Sequence, residues 1–320
     1  MLALTVATTV HIGVLGIFHP TQVDVRPAPK STLVIERSER SEVIQTPESV
    51  HLDGPARITG RKGSFARFII RLPDGTQREY YGRLEVRRHD EELQLIVEMD
   101  REVAVASILA AEGAYALPPE ALRAQAIVAR SYLSGVRGRH VGFDMCDTTH
   151  CQRLESPPAS NSIATKAAAE TRGEVLTYFG KIVPAMYSAN CGGHTKAFAT
   201  AGLAPGDYPF FAVECSRRGH ASGHGVGLCQ LGAMDMANAG ENAAEILAHY
   251  FPGTQIESID GSPLPPGSIH TAREGRHRAR AFVRQTLGGP TADTGGRAGW
   301  SPPGKSAPPA PRAPAHAGAS

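Results

Sequence analysis

The chain has 320 residues, 41% of them hydrophobic and 20% charged, enough apolar material for one large or two modest domains and too much for a wholly disordered protein. The formal net charge of +2 divides unevenly: eight Lys/Arg against two Asp/Glu put +6 into residues 261–320, which leaves −4 on the first 260. The basic excess belongs to the tail, which speaks against nucleic acid as a partner of the core, and five cysteines without even spacing do not make a small disulfide scaffold.

In chain order, Leu2 to Phe18 is an apolar run broken only by Thr and His11 and lacking Lys or Arg. Residues 1–20 read as a signal-like or anchor segment, placing the N-terminus at a membrane, with a first β-strand as the alternative. Residues 21–100 read as β. Thr32–Glu36, Phe65–Leu72, Tyr80–Val86 and Leu93–Val97 are strand-like, with Phe68, Ile70 and Leu72 on one face and Arg67, Ile69 and Arg71 on the other. Pro73-Asp-Gly75 marks a turn and Arg87–Glu92 a loop, which predicts a small antiparallel sheet.

Helical patterning begins at Val105 and stops near Gly113, and a second helix starts at Pro118-Pro119, where a missing N–H is harmless. Two apolar rows follow, Ala121, Ala124, Val128, Tyr132 and Leu122, Ala126, Ala129, Leu133. Such a helix has little polar face and should be buried. Asn161-Ser162 caps an alanine-rich helix through Thr171, with Gly173 as its stop. Val175–Ser188 reads as a hairpin turning at Gly180-Lys181 in type II′ geometry. Glycine-punctuated loops follow at Ala189–His194 and Ser222–Ala233, then helices at Met234–Ala239 and Glu241–Tyr250, and beyond Gly261 a basic Pro/Gly/Ala-rich tail that reads as disordered. The fold class is α+β, with a mixed helical and antiparallel β part over residues 101–260.

Chemistry concentrates in His140–Gln152, where His140, Cys146 and Cys151 offer a His-x5-Cys-x4-Cys set of soft donors. Zinc suits these ligands and would keep a fourth position for water or a nearby side chain, while a Cys146–Cys151 disulfide and plain buried thiols remain open readings. His150 adjoins Cys151, and neighbours seldom ligate one ion in a tight loop, so His150 is read as free to contact substrate. A cysteine peptidase is another reading, with Cys151 or Cys191 as nucleophile and His224 as base. Glu112 is the third centre. Ala110-Ala111, Gly113-Ala114, Tyr115, Ala116 and Leu117 surround it in sequence, and an apolar setting raises a carboxyl pKa toward what a general acid needs. Glu120, in a helix first turn, is the dipole-complementing contrast.

Four segments in register resemble the stage II sporulation protein D/amidase-enhancer family of bacterial cell-wall proteins, the SpoIID/LytB domain. They are Glu112 with Pro119–Tyr132; Cys146-Asp-Thr-Thr-His-Cys-Gln152; Tyr187-Ser-Ala-Asn-Cys-Gly-Gly193; and His224-Gly-Val-Gly-Leu-Cys-Gln-Leu-Gly-Ala233 with His249–Gly253. The resemblance implies a lytic transglycosylase in the cell envelope that cleaves peptidoglycan glycan strands, with Glu112 as the single acid/base. It also implies zinc held through His140, Cys146 and Cys151, and a cleft lined by Tyr187, Ser188, His224 and Gln230. Some relatives act instead as non-catalytic activators of a cell-wall amidase, which makes an amidase the alternative partner. The chain departs from the family at Gly113-Ala114, where Met-Pro is usual, at Leu117, where Trp is usual, and at Cys229, where Ser is common.

Overall fold

The computed structural model describes residues 8–38, 40–113, 116–136, 139–198 and 208–259. Among these, five α-helices and three sheets make an α+β protein in which all but two strand pairs are antiparallel. Residues 1–7 and the basic tail lie outside the described residues.

The large sheet has ten strands: β1 (Thr9–Val14), β2 (Val23–Pro27), β3 (Thr32–Arg37), β4 (Arg40–Gln45), β5 (Val50–Leu52), β6 (Ala56–Thr59), β7 (Ala66–Arg71), β8 (Gln77–His89), β9 (Glu92–Asp100) and β10 (Met145–Cys146). Its main path runs β10-β1-β9-β8-β6-β3-β4, and β7 leads from β8 to β2 and β5. Strand β8 holds the two branches together. Residues 77–82 pair with β7 and residues 83–89 with β9, while Tyr80, Gly82, Leu84 and Val86 keep one buried face by period two. At the crossover a Cβ on Gly82 would stand 2.2 Å from the Glu98 carbonyl oxygen, so only glycine lets the backbones approach. The predicted Arg87–Glu92 loop is shorter than expected: the ladder runs on to the His89–Glu92 pair, and only Asp90-Glu91 turn.

The apolar run read as a signal-like or anchor segment supplies β1. Val10, Ile12 and Val14 are buried, and the strand lies between β9 (antiparallel) and β10 (parallel, Ile12 opposite Met145). Six residues suffice to cross a sheet, so for residues 9–14 the strand alternative holds. Among the described residues no helix is long and apolar enough to cross a membrane.

Helix α1 (Arg101–Ala111) follows β9 directly, capped by Asp100, whose side chain accepts from the N–H groups of Glu102 and Val103. Helix α2 (Pro119–Gly135) begins at the expected proline and sits between two cores. Leu122, Ala126, Ala129 and Leu133 join the sheet, α1 and α3 (Ile163–Glu170), whereas Ala121, Ala124, Ile127 and Val128 join the C-terminal core. That second core is built on α4 (Gln230–Asn238), α5 (Ala243–Tyr250) and the strands β11 (Glu174–Tyr178), β12 (Lys181–Ile182), β13 (Tyr187–Ser188), β14 (Leu228–Cys229) and β15 (Gln255–Ser258). The two predicted apolar rows of α2 are thus the two core-facing sides, and the expected division near residue 100 does not interrupt the packing.

Arg130 on α2 is fully buried and ties the halves together. It pairs with Glu102 of α1 at 2.6 Å and donates to the carbonyls of Ala168 (3.0 Å) and Glu174 (3.1 Å) and to Thr171 Oγ1 (3.3 Å). A guanidinium can be buried when its fork of donors is met this fully. The β11–β12 hairpin turns at Phe179-Gly180, not at Gly180-Lys181, because Tyr178 faces Lys181 and both loop residues have positive φ (49° and 75°). This is type I′ geometry, one residue earlier than the predicted type II′ bend.

Candidate active site and metal cluster

Glu112 ends α1. Its N–H is bonded to Ile108 O, and Gly113 follows at φ 79° as the left-handed residue that breaks the helix. The carboxyl therefore sits at the negative end of α1, where that helix of the sheet-side core meets Tyr187 and Gln230 of the second core. Burial pushes the Glu112 pKa above the ordinary carboxylate range, and the hydroxyl of Tyr187, the charge of Arg153 and the amide of Gln230 pull part of the way back. The Tyr187 hydroxyl is in turn driven well above its usual value, first by burial and then by Glu112. Ala114 and Tyr115, two of the expected apolar neighbours, lie outside the described residues.

Two glycine-punctuated segments reach Glu112 because β13 and β14 pair in parallel, Tyr187 opposite Leu228 and Ser188 opposite Cys229. Gly227 makes the approach possible: a Cβ there would lie 2.1 Å from the Met186 carbonyl oxygen, and its φ is 75°. The pairing delivers Gln230 to the first position of α4. Ser188 Oγ and Gln230 Nε2 are buried and have no hydrogen-bond partner among the protein atoms. His224 is exposed and accepts from Val226 N–H through Nδ1 at 3.0 Å. Partial burial of its ring, then Lys196, lowers its pKa, so it is neutral at pH 7. Its hydrogen bonds go to Val226 and the Tyr187 backbone; none joins it to Cys151 or Cys191 among the described residues, and the peptidase constellation is not assembled.

The loop His140–Gln152 is seated on the edge of β1. His11 N–H donates to Asp144 Oδ2 (2.8 Å), and the buried Asp147 carboxylate accepts from Leu15 N–H (3.1 Å) and pairs with Arg78 (2.6 Å). His140 Nε2 lies 3.1 Å from Cys151 Sγ, and His150 Nδ1 lies 3.6 Å from both Cys146 and Cys151 Sγ. All four donor atoms fall within 4.8 Å of one another. His150, expected to be free for substrate, stands within the cluster: the tight turn closed by Cys151 N–H to Thr148 O brings its ring to the sulfurs. Ring stacking of His140 on Phe143 (4.5 Å between centroids) orients the other imidazole, and Gly13 leaves room for the Phe143 ring, 2.6 Å from where its Cβ would be.

Two thiols and two imidazoles could hold zinc in a closed tetrahedral site, where donor atoms would stand roughly 3.5 Å apart; the 3.1 Å and 3.6 Å spacings are compatible with it. Cys146 is held well below the ordinary thiol range, first by its hydrogen bond with Cys151. Arg139 Nη2 lies 3.1 Å from His150 Nε2, which makes Nε2 the acceptor and leaves Nδ1–H toward the sulfurs. Ligation through Nδ1 takes the neutral ring in its other tautomer, with the hydrogen on Nε2, so metal loading would turn the Arg139 donor aside. Tyr132 on α2 spans the gap between the cluster and the carboxyl, in reach of Cys151 on one side and Tyr187 on the other.

Arg153 and Glu155, paired at 2.8 Å, both act on Glu112 and escaped the sequence reading. Their position two and four residues beyond Cys151 in a loop pinned at both ends was the available signal. A third group, Cys191, Cys215 and Cys229, is buried with its sulfurs within 4.8 Å of one another.

The stage II sporulation protein family, SpoIID, matches residues 89–178, the stretch from the end of β8 through α1, α2 and the His/Cys loop to β11. An uncharacterized protein of Brachyspira hyodysenteriae is 33% identical over 122 residues, 37% of this chain and 33% of its own. The amidase enhancer of Bacillus subtilis is 40% identical over 78 residues, 24% of this chain and 10% of its own. The chain thus spans a third and a tenth of these two relatives.

Proposed function

We propose that this chain, which carries a SpoIID domain across residues 89–178, works on the bacterial cell wall as an exported peptidoglycan lytic transglycosylase, with Glu112 as its acid and base. The observation that carries the reading is one carboxyl at the seam of two cores, raised in pKa by burial and faced by Tyr187 and Gln230. Protonated Glu112 gives its proton to the glycosidic oxygen between N-acetylmuramic acid and N-acetylglucosamine as the C1–O bond breaks. The carboxylate so formed takes the proton of the muramoyl C6 hydroxyl, whose oxygen bonds to C1 and closes a 1,6-anhydro ring. No water is consumed, so one carboxyl suffices where hydrolysis takes two.

Gln230 Nε2 and Ser188 Oγ, buried and unpartnered, are suited to hold sugar hydroxyl or acetamido groups. Tyr187 holds the Glu112 carboxylate by hydrogen bonding. Zinc on His140, Cys146, His150 and Cys151 would supply structural cross-linking, since four protein ligands leave no open position. Through Tyr132 that brace fixes the wall on which Arg153 stands.

The test is digestion of purified glycan strands, with and without stem peptides, read by mass spectrometry. Wild type should release anhydro-muramoyl products, and Glu112→Gln should lose about 10²- to 10⁴-fold of the rate. Products with reducing ends, abolished by Glu155→Gln, would replace this mechanism with a two-carboxylate hydrolysis. The similarity to an amidase enhancer favours a second reading, a wall-bound activator of an amidase. It requires stimulation of the partner enzyme that Glu112→Gln leaves intact.

A further inference from the structure

We propose that Cys191, Cys215 and Cys229 form a second metal site, a three-thiolate centre for a soft cation of the Cu(I) type, which braces the loops behind Tyr187, Ser188 and Gln230. The three residues come from separate segments, are 5%, 7% and 0% exposed, and carry free thiols whose sulfurs all lie within 4.8 Å of one another. Neither carboxylate nor imidazole belongs to the group, which distinguishes it from the mixed set at His140–Cys151.

Backbone N–H groups and a hydroxyl are directed at the sulfurs. Cys229 Sγ accepts from the N–H groups of Cys191 (3.3 Å) and Gly232 (3.4 Å). The Tyr250 hydroxyl lies 3.3 Å from Cys215 Sγ. At Cys191 the return of the chain depends on Gly192 and Gly193 (φ 79° and 119°). At α4, a Cβ on Gly232 would lie 2.4 Å from Cys215 Sγ, so glycine there admits the third sulfur.

Hydrogen-bond donors directed at sulfur favour the charged form, and charges buried together are tolerated when they coordinate a cation. Thiolate softness selects Cu(I) or zinc among biological ions. Zinc in structural sites takes four ligands, and three sulfurs match the lower coordination number that Cu(I) accepts. Ser188 pairs with Cys229, and Gln230 follows it, so an ion here would fix the groups offered to substrate without touching it.

The experiment is an anaerobic Cu(I) titration of the reduced, metal-free full chain against a competing chelator, after one equivalent of zinc has been added. X-ray absorption then counts the sulfur neighbours of copper. Wild type should bind one Cu(I) with three sulfur neighbours, Cys146→Ser should retain that copper, and Cys229→Ser and Cys215→Ser should each weaken it at least 100-fold. The proposal is overturned if wild type takes up no copper beyond the zinc equivalent, if copper carries nitrogen neighbours, or if Cys229→Ser and Cys215→Ser bind it as tightly as wild type. A disulfide among these three residues in non-reduced peptide maps of the purified protein would overturn it as well, and this measurement and the sulfur count both use the unmutated chain.

Discussion

The two cores on either side of α2 solve the same problem differently. On the sheet side, β-ladders of period two bury regular rows, and the His/Cys cluster is held at the rim by backbone and carboxylate bonds to β1. On the other side the strands are two to five residues long, and close approaches at Gly227 and Gly232 replace long ladders. Regular structure positions a cluster that is half exposed and mixed in its donors, whereas irregular structure encloses one that is buried and all sulfur. Glu112 lies at the seam and is reached from both sides, from one by Arg153 and from the other by Tyr187 and Gln230.

Breaking the link between the cores should have the largest effect. Arg130→Met keeps bulk but leaves Glu102 and the carbonyls of Ala168 and Glu174 without their donor; denaturant unfolding should show a loss of about 3–5 kcal/mol. Cys151→Ser tests the sheet side alone. In wild type, zinc at a thousandfold excess over its dissociation constant should add about 4 kcal/mol of stability, and the variant should lose that zinc response in thermal melts while keeping its secondary structure. Gly82→Ala presses a methyl group on the Glu98 carbonyl and should cost about 1–3 kcal/mol as overpacking, with α4 and α5 unaffected by hydrogen exchange. The smallest effect is expected at the seam. Tyr187 hydrogen bonding lowers the Glu112 pKa, so Tyr187→Phe should raise it further. Because the protonated carboxyl starts the reaction, the rate falls as pH rises through that pKa, and the alkaline limb of the kcat/KM profile should move to higher pH in the variant. A shift to lower pH would contradict the assigned direction of the bond.

The sheet side was largely legible. Phe68, Ile70 and Leu72 face inward as their alternation predicts, Pro119 opens α2, Ser162 caps α3, and the two rows of α2 identify its two neighbours. Length and polarity do not separate a short leader from a strand, and only the partners β9 and β10 settle β1. The hairpin was misplaced by one residue because Phe179 adopts positive φ, a conformation its side chain disfavours and the register imposes. For the site, the resemblance located Glu112, Tyr187 and Gln230, which the structure brings together. The nearness of His150 to the two sulfurs was not legible, since spacing says nothing about a turn that points adjacent side chains at one centre. The convergence of Cys191, Cys215 and Cys229 was equally invisible, because it depends on how three distant loops stack.

The pairing of β1 with β10 joins residue 12 to residue 145, a contact that closes nearly half the chain into one loop. Local ladders such as β8–β9 can form as soon as they are synthesised, but this pair must wait until the chain beyond α2 has emerged, and its closure entropy is met late. The loop carrying His140, Cys146, His150 and Cys151 is ordered by that same pairing. If the cluster takes the proposed zinc, its capture would be timed to the end of folding of the sheet, and a bound ion would report that the first strand has found the last.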